Sequence, residues 1–251
     1  MTLAILSASG GQVMPGPVRI FTEFEQQPVC CKSVGAGAAT GTAGDVNLML
    51  VPSYGLLPAA GFEYTIIGTQ TILAPSIAAG GLDIGMDQTN NDGVMLTHGV
   101  TARNPMAFVV GTDGGCYLKA RFTVADVSGA DPLYIGFRKI EAHQADYNDF
   151  DEFVGIGLNT DGSFKIETIL NGAATVTTDT TQDATDATEF SLGVYVSDAG
   201  VVTFQINGAA PTVTKAFTFD SGEVIAPYCL FVHGSDVAGT VLLSQWDCGA
   251  R

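Results

Sequence analysis

The densest set of groups able to do acid–base or metal chemistry is the run Asp146, Tyr147, Asn148, Asp149, Phe150, Asp151 and Glu152. A calcium loop needs oxygen ligands at alternate positions and a glycine at its sharp turn, and here Asp146 and Asn148 are followed by Phe150 with no glycine. Glycoside hydrolysis needs two carboxyl groups facing the scissile bond, about 5–10 Å apart. Asp149 and Asp151 offer a pair without a third carboxylate, since Phe153 and Val154 occupy the positions where it should stand. The run therefore reads as an acidic, solvated loop leading into a strand at residues 154–158, with a cation bound at a subunit interface as the alternative.

The remaining reactive side chains are scattered. His98, His143 and His233 lie far apart and lack the His-x-x-His or Cys-x-x-Cys spacing of a zinc site. There is no Gly-x-Ser-x-Gly nucleophile elbow and no Gly-x-x-x-x-Gly-Lys phosphate loop. The glycine-rich residues 35–44 contain no lysine and follow no strand–helix unit. Trp246, the only tryptophan, would stack on a sugar if exposed, but an aromatic in a closing strand belongs more often to a core or interface. Tyr134, Tyr147 and Tyr195 would line a concave face, although no cluster of surface aromatics stands out. No catalytic residue, metal ligand or cofactor is expected from these patterns.

The elements that would position such groups are strands. Leu118, Ala120, Phe122 and Val124 alternate with Lys119, Arg121 and Thr123, and Phe164, Ile166 and Leu170 alternate with Lys165 and Glu167. Phe190, Leu192, Val194 and Val196 alternate with Ser191, Gly193 and Ser197, and Val202, Phe204 and Ile206 with Thr203, Gln205 and Asn207. Each strand has one face to bury and one that stays wet, so two antiparallel sheets must cover each other. Asp161-Gly162, Asn171-Gly172 and Asn207-Gly208 supply turns. Weaker patterns add strands at residues 81–86, 94–97 and 107–110, and the Thr- and Asp-rich residues 175–188 read as an edge strand and exposed loop. The expected fold is an all-β antiparallel sandwich over residues 77–251.

Residues 1–76 differ. Pro15, Pro17 and Pro28 interrupt them, and apolar islands remain at Val18, Ile20, Phe21 and Phe24, then at residues 48–51 and 64–67. They read as an extended N-terminal arm lying on its own sandwich or a neighbouring subunit, or as accessory strands with long loops. In the first case Ile20, Phe21 and Phe24 are the inter-subunit contacts.

Composition narrows the partners. With 26 acidic and 10 basic residues, a net charge of −16, the chain has no basic stripe for nucleic acid or an anionic membrane. Its five cysteines include the adjacent Cys30 and Cys31, and free thiols with cytosolic folding are expected. Residues 1–6 lack the positive region and apolar length of a secretion signal, and no run approaches a membrane span.

Residues 190–211 (FSLGVYVSDAGVVTFQINGAAP) resemble the strand, turn and Asn-Gly of laminin-G-like and legume-lectin-like domains, a resemblance spanning residues 77–249 that implies a concanavalin A-like jelly roll. Residues 149–154 superficially resemble the Glu-x-Asp-x-Glu strand of sandwich glucanases, without its acid/base. Residues 131–139, 145–147 and 153–158 resemble a group of tailed-phage virion proteins. That resemblance implies a non-enzymatic structural protein that decorates or cements a capsid. It would be a homotrimer on the virion's capsid exterior, assembled in the host cytoplasm, with the major capsid protein and its own copies as partners. The alternatives are a glycan-binding, lectin-like module of a fibre or tail and a divergent glycoside hydrolase.

Overall fold

A computed structural model describes residues 19–23, 32–33, 46–50, 62–68, 76–78, 81–85, 89–97, 107–142, 144, 147–234 and 240–251. Every strand pair among them is antiparallel. The strands in chain order are β1 (Arg19–Glu23), β2 (Lys32–Ser33), β3 (Val46–Leu50), β4 (Phe62–Ile67), β5 (Ser76–Ala78) and β6 (Gly81–Asp83). They continue with β7 (Gly93–Thr97), β8 (Phe108–Val109), β9 (Cys116–Val124), β10 (Ala130–Lys139), β11 (Phe153–Leu158) and β12 (Ser163–Ile169). The last are β13 (Val176–Asp183), β14 (Glu189–Val196), β15 (Val202–Ile206), β16 (Val224–His233) and β17 (Val241–Ala250).

One sheet runs β15-β14-β9-β17-β6-β5, with β1 also paired to β17. The other runs β13-β12-β11-β10-β16-β7-β4-β3-β2, with β8 also on β16. Their facing sides supply the core, including Leu118, Phe122, Phe190 and Val194 from the first sheet and Ile135, Phe137, Ile156 and Phe164 from the second. Phe164 meets Phe190 edge to face across the gap at 5.2 Å. Each such side chain contributes about 1.5–3 kcal/mol by leaving water. The connection from β12 to β13 turns at Asn171 and Gly172, both at positive φ (52° and 66°), with the Ala173 N–H donating to the Leu170 carbonyl at 3.0 Å.

Two sequence-level expectations need correction. The second sheet's other face is wet only toward β13: Met95, Tyr134, Phe150, Phe153, Ile169, Tyr228 and Leu230 form a separate apolar cluster on it. Arg138 and Glu167 are buried too, so alternation there separates two interiors instead of core from solvent. Leu170 does not join Phe164 and Ile166 in the core, because β12 ends at Ile169 and Leu170 turns outward, 40% exposed.

Strands from residues 1–76 are paired into both sheets: β1 borders β17, while β3 and β4 extend the second sheet beyond β7. Ile20 lies opposite Cys248 and Phe21 opposite Asp247, whereas Phe24 lies outside the described residues. The weak patterns correspond to β6, β7 and β8, and the Thr- and Asp-rich segment is β13, at the end of its sheet.

Candidate functional site

The outer face of the first sheet gathers the most promising set of side chains. Because Leu118, Ala120, Val194 and Cys248 point into the core, their neighbours Tyr117, Lys119, Tyr195 and Asp247 point away from it. Pairing then places Tyr195 opposite both Tyr117 and Thr203, Gly193 opposite Lys119 and Gln205, and Lys119 opposite Asp247. Two half-buried tyrosines from different strands thus stand side by side.

Both rings are held in place. The Tyr117 hydroxyl donates to Asp247 Oδ1 at 2.9 Å, and the Tyr195 hydroxyl donates to Gln205 Oε1 at 2.6 Å. Tyr195 also leans on the bare backbone of Gly193: a Cβ there would lie 3.1 Å from ring atom Cε2 and 3.2 Å from the hydroxyl. Lys119 Nζ sits 5.7 Å from the Tyr117 centroid and 5.6 Å from that of Tyr195. Arg251 Cζ is 5.3 Å from the Tyr195 centroid, its backbone N–H anchored to the Gly115 carbonyl at 2.7 Å. Preset rings fringed by an amide, a carboxylate and two cations offer an apolar platform and both kinds of hydrogen-bonding group to a polar ligand.

The acidic run lies elsewhere and splits. Asp149 and Asp151 are exposed, with Asp151 Oδ2 3.8 Å from Lys139 Nζ and its N–H donating to Glu141 Oε1 at 2.8 Å. Glu152, expected in the solvated loop, is instead buried, and among the described residues neither carboxylate oxygen has a hydrogen-bond partner. Burial chiefly, then repulsion from Glu223 and Asp220, pushes its carboxyl up to about 7. Glu223 in turn engages Lys139 Nζ at 3.3 Å. Among the described residues no group of three or more His, Cys, Asp or Glu could hold a metal ion. Asp146 lies outside the described residues.

The other sequence candidates resolve by burial. Trp246 and Tyr134 are fully buried, which removes both as sugar platforms. His233, buried at the end of β16, packs edge to face on Phe231 at 4.6 Å. The Tyr147 side chain, His98, His143, Cys30 and Cys31 lie outside the described residues. Cys116, Cys229 and Cys248 are free and buried; burial raises all three thiols, Cys248 to about 12, which leaves them inert as nucleophiles at neutral pH. A groove of about 400 Å³ beside β13 is mostly apolar, with Leu170, Val176 and Phe217 in its walls.

Of the named aromatics whose side chains are described, only Tyr195 reaches the site, and the sequence patterns do not single out Tyr117. The alternation that sends Lys119 outward sends Tyr117 outward too, but its meeting with Tyr195 depends on the β9–β14 register.

No protein-family model matches the chain, and no curated protein matches it in sequence. Solved structures match it in fold. The carbohydrate recognition domain of Emp47p aligns with a TM-score of 0.51 at 12% identity, covering 85% of this chain and 98% of that one. The exoplasmic/lumenal domain of VIP36, in its Ca2+/Man3GlcNAc-bound form, aligns at 0.51 and 9% identity over 75% of this chain and 83% of its own. The potassium-bound carbohydrate recognition domain of Emp46p aligns at 0.50 and 9% identity over 74% and 87%. The chain is therefore a concanavalin A-like β-sandwich, and identities this low carry the fold alone.

Proposed function

We propose that this protein is a non-enzymatic glycan-binding module that takes a sugar on the outer face of its first sheet. The observation that carries the proposal is the Tyr117–Tyr195 pair, half exposed and fixed by Asp247, Gln205 and Gly193. A pyranose presents a C–H face to an aromatic ring and hydroxyls around its rim. The tyrosines accept the first, while Gln205, Lys119 and Arg251 surround the second, with Asp247 holding Tyr117 from below. The names of the matched structures agree with this reading: two are carbohydrate recognition domains and the third was solved with Man3GlcNAc.

The capsid-cementing reading, with Ile20, Phe21 and Phe24 as contacts, gains nothing from the matched structures. Much of the segment that suggested it is β10 and β11, whose Leu133, Ile135, Phe137, Val154, Ile156 and Leu158 fill the core. Among the described residues the likeness is carried by a burial pattern. Hydrolysis gains no support from the acidic run, which splits into an enclosed Glu152 and exposed Asp149 and Asp151.

A glycan array probed with the full chain tests the proposal. Saturable binding to a defined sugar class, lost in Tyr117→Ala/Tyr195→Ala with the fold intact, is the expected result; no binding at high protein concentration overturns it.

A further inference from the structure

The geometry points to an anionic sugar, one bearing a carboxylate or sulfate on its ring, as the ligand class of the Tyr117–Tyr195 face. This inference rests on the glycan-binding reading above and adds the charge of the ligand. The chain has 10 basic residues against 26 acidic ones, and three half-buried cations among the described residues reach acids. Arg121 meets Glu189 at 3.5 Å, Lys139 meets Glu223 at 3.3 Å, and Lys165 meets Asp179 at 2.7 Å and Asp161 at 3.2 Å.

Lys119 and Arg251 depart from that pattern, as does Lys215 in the groove beside β13. Lys119 and Arg251 are exposed, and neither forms an ion pair among the described residues. They flank the same ring, that of Tyr195, within 6 Å of its centroid. The acid opposite Lys119 is Asp247, which is 4% exposed and already accepts the Tyr117 hydroxyl. Two positive groups with open hydrogen-bonding capacity therefore border a fixed aromatic platform on an otherwise acidic molecule.

An anion on a ring stacked there would receive charge-assisted N–H···O bonds from an ammonium and a guanidinium, stronger than those a hydroxyl receives. The protein's −16 charge opposes an anion at long range. At about 0.15 M salt, however, interactions between exposed charges fade beyond about 8 Å, leaving Lys119 and Arg251, offset in part by Asp247, as the charges nearest the ligand. The preference should thus persist at physiological ionic strength.

The test is calorimetric titration of the full chain with uncharged, carboxylated and sulfated oligosaccharides of equal length at 0.15 M salt. A charged set should bind about tenfold tighter than the uncharged one. Lys119→Gln/Arg251→Gln should collapse that ratio to about twofold or less, with thermal midpoint and near-ultraviolet circular dichroism confirming the fold. Whichever charged set binds tighter identifies the anion. Equal affinity for charged and uncharged sugars overturns the inference and leaves the glycan reading standing, whereas binding of none overturns both. A preference that survives in the double variant overturns the assignment to Lys119 and Arg251.

Discussion

Glu152 and Gly193 show how individual side chains in this fold report on their surroundings. An unfolded glutamate releases its proton near 4.5, whereas folded Glu152 keeps it until about pH 7. Between these values the native state holds the extra proton, so this residue's contribution to stability falls as pH rises from about 4.5 to 7 and stays lost above. Glu152→Gln, which keeps the shape and removes the ionisation, should gain about 1–2 kcal/mol on the wild type between pH 5 and pH 8. Urea denaturation of both proteins at the two pH values checks this; parallel curves would place the charge in solvent. Gly193 acts through space. A methyl there presses the Tyr195 ring back by a few tenths of an ångström, so Gly193→Ala should weaken sugar binding about twofold while the urea midpoint barely moves. Undiminished binding would remove Tyr195 from the platform.

At the scale of elements, the strand pattern was largely readable because alternation and turn chemistry are local. β9, β14 and β15 bury the apolar residues that sequence spacing assigned to one face, and Asn171-Gly172 turns where the dipeptide said it should. What remained hidden depends on partners distant in sequence. Tyr117 and Tyr195 become neighbours only through the register of β9 with β14, and Glu167 is buried only because a second apolar cluster covers its sheet. Glu152 looked like loop because its immediate neighbours are acidic; its burial comes from the packing at the entry to β11. The same close packing makes Gly136 indispensable, since a Cβ there would overlap the Val154 carbonyl across the β10–β11 pair. Gly136→Ala should cost about 2–4 kcal/mol, read from the urea midpoint, and a loss under about 0.5 kcal/mol would show that the strands can spread.

For the whole molecule, the first sheet presents the ligand face while the second encloses apolar clusters on both sides. Among the described residues, the side chains of the site come from residues 117–251, while β1 pairs with β17 beside it, Phe21 lying opposite Asp247. Removing residues 1–60 deletes β1, β2 and β3 and exposes the β4 edge. The truncated protein should melt earlier yet bind sugar within about threefold of the full chain, as titration above its lowered stability range would show. Complete loss of binding by a folded truncation would bring β1, the neighbour of β17, into the site. The most direct test of the central claim is the aromatic NMR spectrum of the full chain titrated with a sugar that the array identifies. The ring signals of Tyr117 and Tyr195 should shift in step with saturation while those of buried Tyr134 and Tyr228 stay fixed. A sugar that saturates the protein and leaves both site rings unmoved would contradict the account.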